Sequence, residues 1–325
     1  MVCGISEALG VEPILGQARE QERGYDWLGA VGSYKKALDL LSEPNFLKMS
    51  EICERLGYVF HRAAMQAESV DEFRSRMSQA VAHYEKAKEH YGRLSEAGKT
   101  PRILRCDAMT AYSTYWLTVD VPEKKRLLHE SWRLAQESLK AFEAAGDSWE
   151  YGRTCNQLIT SAIFIFTLEW NFQEREKPVR EGSELGGRAI KLLSTLEDSH
   201  ELARAYAKTL ICLGVFGYYF QEGDEREICF QKGQGYWQKA KDLSEEIAMI
   251  ESLYPVFGSQ IILGLEGTEE ALANYRKSLE YGSKTKDRFI IGCALDWLTY
   301  HTFWKTTSIE DPDERAKLLK KGLVC

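Results

Sequence analysis

A small residue, an aromatic four positions on and a second small residue three further on recur along this chain at a nearly constant interval. Ala30-Tyr34-Ala37, Ala80-Tyr84-Ala87, Gly233-Trp237-Ala240 and Ala271-Tyr275-Ser278 carry the pattern in full. Ser131-Ala135-Ser138 and Ser183-Gly187-Ile190 repeat it without the aromatic. First members fall at 30, 80, 131, 183, 233 and 271, so the spacings are 50, 51, 52, 50 and then 38. Offsets of four and three place all members on one stripe of an α-helix. The small residues admit a neighbouring helix closely, and the ring fills the gap between successive helix pairs. Leu56-Gly57-x-x-Phe60 and Leu213-Gly214, on preceding helices, offer partner faces. Such a pair cannot bury both of its faces alone, so the pairs must stack.

Helical periodicity supports this reading throughout. Residues 46–67, 70–96, 101–118, 123–145, 149–170, 199–221, 247–265, 269–281 and 287–305 carry apolar residues at i, i+3, i+4, i+7 spacing. Short breakers separate them: Pro44-Asn45, Gly98 to Pro101, Asp120-Val-Pro122, Gly146-Asp147, Gly223-Asp224, Gly267 and Gly282. Ser69 with Glu72 and Asp120 with Glu123 read as capping boxes, and Asp311-Pro312 as an N-cap followed by proline in the first turn. Only 7 prolines in 325 residues leave room for long helices. The chain reads as all-α, in antiparallel hairpins, with no breaker long enough for an interdomain linker.

These residues resemble the tetratricopeptide repeat family. Segment 24–44, GYDWLGAVGSYKKALDLLSEP, carries the family's Ala-x3-aromatic-x2-Ala second helix, with Pro44 near its terminating proline. Leu56-Gly57 and Leu213-Gly214 match the Leu-Gly of its first helix. Typical members repeat every 34 residues. The spacing of about 50 here implies helices of roughly 22 residues, about 33 Å long, similar to the long-helix SNAP-type vesicle-fusion adaptors. The resemblance implies a right-handed α-solenoid of six to seven antiparallel helical hairpins in one domain, 1–325, with repeats near 11–44, 46–97, 101–146, 149–197, 199–246, 247–283 and 287–322.

In that family the first helix of each hairpin lines a concave surface. By type of position, the groove is then lined from helices 46–67, 101–118, 149–170, 199–221 and 247–265. Its candidate contact residues are Tyr58, His61, Tyr112, Tyr115, Arg153, Asn156, Phe164, Arg204, Lys208 and Tyr219. Aromatics and arginines are the side chains that most often anchor interfaces. Arg153, Asn156, Arg204 and Lys208 could together hold a peptide carboxylate or an acidic segment. An ordinary solvated face is the alternative for these four.

Composition narrows the function classes. Net charge is −7, and basic residues are mixed with acidic ones along the whole chain, against a nucleic-acid partner. The eight cysteines are scattered with no CxxC pair, which fits reduced thiols in a cytoplasmic protein. The N-terminal segment MVCGISEALGVEP lacks the basic and apolar regions of a signal peptide. The longest apolar stretch, Leu158 to Trp170, is too short to span a bilayer. The six histidines are spread singly. His83 and His90 lie two turns apart on one helix, about 10 Å, too far to share a metal directly. The stretches Glu181–Gly187 and Gly233–Gly235 follow no strand and lack a P-loop ending, so they read as packing glycines inside helices. No metal, cofactor or catalytic group is expected.

One further feature stands out. Leu158 to Phe166 and Leu210 to Phe220 are apolar on every side of their helices, whereas a surface helix has one dry face. Either these helices are packed on all sides within the stack, or one face awaits an apolar partner. The expected function is a protein–protein interaction scaffold that holds a peptide or protein segment in its concave groove. The alternative is a sensor domain, part of a larger signalling protein, that takes a small apolar ligand or signalling peptide.

Overall fold

The computed structural model describes residues 3–41, 45–94, 96–196, 198–253, 268–307 and 309–322. Among them lie thirteen α-helices and no strand: α1 (Cys3–Arg23), α2 (Trp27–Asp39), α3 (Phe46–Met65), α4 (Val70–Tyr91), α5 (Glu96–Leu117), α6 (Val121–Ala144), α7 (Ser148–Leu168), α8 (Phe172–Leu193), α9 (Ser199–Phe220), α10 (Gly223–Glu246), α11 (Glu269–Thr285), α12 (Arg288–Thr307) and α13 (Pro312–Gly322). The helices pack into two compact units, residues 1–168 and 169–325. The boundary falls between α7 and α8, inside the predicted repeat 149–197. Pro44 and most of the predicted helix 247–265 lie outside the described residues.

Helix starts follow the local chemistry. The Ser69 hydroxyl accepts from the backbone of Glu72 (3.2 Å), and the Glu72 carboxylate reaches back to the backbone N–H of Glu68 (3.1 Å). Asp120 caps Glu123 (2.9 Å), and Asp311 accepts from Asp313 (2.8 Å) beside Pro312. Gly146, at φ +69°, turns the chain between α6 and α7 in a conformation that residues with a Cβ resist. Two expectations need correcting: Gly98 to Pro101 is no breaker, because α5 begins at Glu96 and runs through Pro101, and Gly282 is none either, because α11 continues through it to Thr285. A proline this near the helix start costs one intrahelical bond, and the Pro101 carbonyl accepts from the buried Ser138 hydroxyl (2.7 Å).

In unit 1 each helix from α1 to α7 packs on the next, and α5 also meets α7. In unit 2 α8 packs on α9 and α9 on α10, while α11, α12 and α13 form a second run. This consecutive hairpin packing within each unit is that of an all-α solenoid. The recurrent triad forms the seams. Ala30, Tyr34, Ala37, Ala80, Tyr84, Ala87, Ser131, Ala135, Ser138, Ala271, Tyr275 and Ser278 are all buried. Where α3 crosses α4, a Cβ added at Gly57 would lie 2.7 Å from the Tyr84 ring. Where α8 crosses α9, one added at Gly186 would meet Thr209. The Gly-rich stretch of α8 is therefore a packing surface. Most of the all-round apolar character of α7 is used the same way: Leu158, Ile159, Ala162, Ile165 and Phe166 are buried, and Ile163 and Phe164 remain half-buried.

Candidate functional site

In unit 1 the helices α3, α5 and α7 meet along one face, and two groups of side chains occupy it. The first is ionic. Arg105 of α5 is 0 % exposed and Glu54 of α3 is 1 % exposed. The Arg105 guanidinium donates to Glu54 (2.9 Å), to Glu150 of α7, and to the Thr154 hydroxyl (3.0 Å). Arg153 of α7 adds contacts to Glu54 (3.3 Å) and Glu150 (3.5 Å). The Tyr91 hydroxyl of α4 donates to Glu54 (2.9 Å), and Arg102 donates to Glu150 (3.2 Å). Burial alone would raise both carboxyl groups, but the charges of Arg105 and Arg153 outweigh it. They hold Glu54 below its ordinary range and Glu150 at about 2. The cluster pairs its own charges in a cross-tie among four helices.

The second group is aromatic. His61 stacks on Tyr112 (5.4 Å between centroids, 17°), and Tyr112 stacks on Tyr115 (6.3 Å). Trp116 sets its ring edgewise to both tyrosines and to Phe164 (5.5 Å, 85°). Phe73 of α4 approaches Trp116 at 6.3 Å, and Lys124 of α6 lies 5.3 Å above the Tyr115 ring. His61 Nδ1 is 3.4 Å from the Ser113 hydroxyl. Tyr112 and Tyr115 are buried, whereas Trp116 and Phe164 keep part of their surface in water. Burial raises the Tyr115 hydroxyl pKa.

Of the ten residues expected from the sequence, the structure brings His61, Tyr112, Tyr115 and Phe164 into this one cluster. Tyr58 sits apart, half-buried, edge-on to Trp27 (6.0 Å) and under the Arg55 guanidinium (4.5 Å). Arg153 is turned into the ionic cross-tie and lies over Trp149 (5.3 Å), and Asn156 is buried. In unit 2, Arg204 pairs with Glu201 and with Glu251 (2.6 Å), and Lys208 is half-buried on the same helix. Two cations of the expected carboxylate-holding quartet are thus already neutralised by the chain's own acids. Tyr219 is exposed at the end of α9, against Tyr218 (4.9 Å).

The sequence reading missed Trp116, Glu54, Arg105 and Glu150. The signal was present for Arg105: it lies in helical register with Pro101, Ala108 and Tyr112, a charge on a dry stripe. Of the singly spread histidines, His83 stacks on Phe60 (5.4 Å) and His90 on Phe46 (6.4 Å). Among the described residues no group of three His, Cys, Asp or Glu could hold a metal ion, and no helix is long and apolar enough to cross a membrane.

No known family model matches this sequence, and no curated protein matches it. Among solved structures, the chain is similar to a Rap protein crystallised with the competence and sporulation factor. Identity is 12 %, over 96 % of this chain and 94 % of that one, with a TM-score of 0.45. It is also similar to a computationally designed self-assembling cyclic homo-oligomer. There identity is 11 %, over 80 % of this chain and 97 % of that one, with a TM-score of 0.31.

Proposed function

We propose that unit 1 is a tetratricopeptide-like interaction module whose α3–α5–α7 face binds a segment of a partner protein. The observation that carries this reading is the aromatic cluster. Helices α3, α4, α5 and α7 contribute rings to it, and Trp116 and Phe164 keep part of their surface open. Large aromatics on a rigid frame are the usual anchors of an interface. The ionic cross-tie beside them fixes the helices that carry the rings, so the surface is preorganised. The role is non-catalytic and needs no cofactor. In line with this, burial pushes the Cys53 thiol up to about 11 and raises Cys106 as well, which makes both poor nucleophiles. The free cysteines fit a reducing, cytoplasmic setting.

A photo-crosslinking amino acid placed at Phe164, followed by mass spectrometry, tests the assignment. The expected product is a crosslinked protein segment whose capture falls at least tenfold in Trp116→Ala. Undiminished capture in a folded Trp116→Ala protein counts against the assignment. The half-buried Ile163 and Phe164 also leave room for the second reading, a sensor that takes a small apolar ligand or signalling peptide. Native mass spectrometry of gently purified protein separates the two readings, since the sensor reading requires a co-purifying mass.

A further inference from the structure

The ends of α8, α9 and α10 form a second surface of different character. Phe172, in the first turn of α8, packs on Phe220 at the end of α9 (4.7 Å between centroids, 60°), and Phe216 stacks behind Phe220 (6.4 Å). Trp170 precedes α8 and is 90 % exposed, Phe172 is 58 % exposed and Tyr219 is 45 % exposed. Isolated exposed rings are ordinary, but several contiguous aromatics at one end of a helix layer mark a contact surface.

Acids outnumber bases around these rings. Glu174 in the first turn of α8 is exposed, as are Glu222, Asp224, Glu225 and Glu227 at the start of α10. The cations there are fewer: Arg226 donates to the neutral Gln221 carbonyl (2.7 Å), Lys177 lies within pairing distance of Glu181 (3.9 Å), and Arg175 is half-buried in α8. Acids in a first turn stabilise a helix whatever else they do. Together with Glu222 and Glu227, these first-turn acids set up a negative potential around the exposed rings that attracts a cationic partner and repels an anionic one.

We propose that the Trp170–Phe172–Tyr219 surface docks a basic amphipathic segment of a partner protein, with its apolar side on the rings and its lysines or arginines against Glu222, Asp224, Glu225 and Glu227. This surface lies in unit 2 and is independent of the α3–α5–α7 face.

The test titrates the full chain against a fluorescent synthetic helical peptide with lysines on one face and leucines on the other. A matched peptide with glutamates in place of the lysines serves as the control. The expected result is saturable micromolar binding of the lysine peptide at low salt, weakened at least fivefold by 300 mM NaCl. Binding of the glutamate peptide is expected to be at least tenfold weaker. The combined change Asp224→Asn, Glu225→Gln, Glu227→Gln should reduce affinity at least fivefold. Trp170→Ala with Phe172→Ser should reduce it at least tenfold with the circular-dichroism melt unchanged, and Trp116→Ala in unit 1 should leave it as it was. Equal affinity for the two peptides overturns the proposal, as does no binding at 200 μM. Affinity that survives both the charge and the aromatic variants also overturns it.

Discussion

A Cβ built on Gly57 would stand 2.7 Å from Cε1 of Tyr84, closer than such a carbon ever sits to a neighbour. The contact joins α3 to α4 at the centre of one copy of the recurrent triad. Gly57→Ala must therefore push the two helices apart or expel the ring, and the expected loss is about 2–3 kcal/mol in urea denaturation. Gly32, exposed in the middle of α2 with nothing within 4 Å of its Cβ position, is the control. There Gly32→Ala should stabilise by about 0.5–1 kcal/mol.

Two buried tyrosines of α4 should respond oppositely to loss of the hydroxyl. Tyr91 donates to Glu54 at 2.9 Å, so Tyr91→Phe should cost about 1.5–3 kcal/mol, as expected for a bond to a charged group. The Tyr84 hydroxyl is buried and finds no hydrogen-bond partner among the described residues. Tyr84→Phe should be neutral or stabilising. Thermal melts of the two single variants decide this, and a large loss in Tyr84→Phe would show that the hydroxyl is satisfied.

Removing Arg105 leaves two buried carboxylates facing each other with only Arg153 and Arg102 nearby. Arg105→Met is expected to destabilise unit 1 by about 3–5 kcal/mol, and adding Glu54→Gln with Glu150→Gln should recover part of the loss. Both carboxyl groups have a lower pKa folded than unfolded. Their contribution is therefore complete above about pH 4.5 and is lost as pH falls toward 2. Urea midpoints measured from pH 6 to pH 2.5 should show this acid limb in the parent and a weaker one in the triple variant.

His83 acts in a different window. Burial against Phe60, with Lys86 and Lys35 adding their charge, lowers its pKa to about 4. The folded protein thus binds this proton less tightly than the unfolded chain, whose imidazole titrates near 6.5. Stability from His83 is complete above that value and declines as pH falls from 6.5 toward 4. Between pH 7.5 and 4.5, His83→Phe should lose about 2 kcal/mol less than the parent. Parallel urea midpoints for parent and variant would refute this.

The seams of the fold were legible in the sequence because the triad is local: its members sit within eight residues, and their spacing states the helix face directly. Helix ends at Ser69, Asp120 and Asp311 were legible for the same reason. Pro101 misled because the sequence does not say which turn a proline occupies, and here α5 continues through it at the loss of one intrahelical bond. His61, Tyr112, Tyr115 and Phe164 were found by their type and place on first helices, whereas Trp116, on the same helix as the two tyrosines, was missed. Arg153 was placed on the right helix, but its charge is taken by Glu54, 99 residues away. Ion pairs between distant helices leave no periodic trace, so the cross-tie could be seen only as isolated charges on dry stripes.

That distance also sets a timetable for synthesis. At roughly 5–20 residues per second, Glu54 leaves the ribosome roughly 3–10 s before Arg105, which follows 51 residues later, and roughly 5–20 s before Arg153. Until then the nascent α3–α4 hairpin has only Tyr91 to answer a carboxylate it is built to enclose. The early hairpins must stay provisional, keeping Glu54 wet, and lock only when α5 and α7 deliver their guanidinium groups. Growth from one end is thus completed by a late bolt driven back through the first pieces laid down.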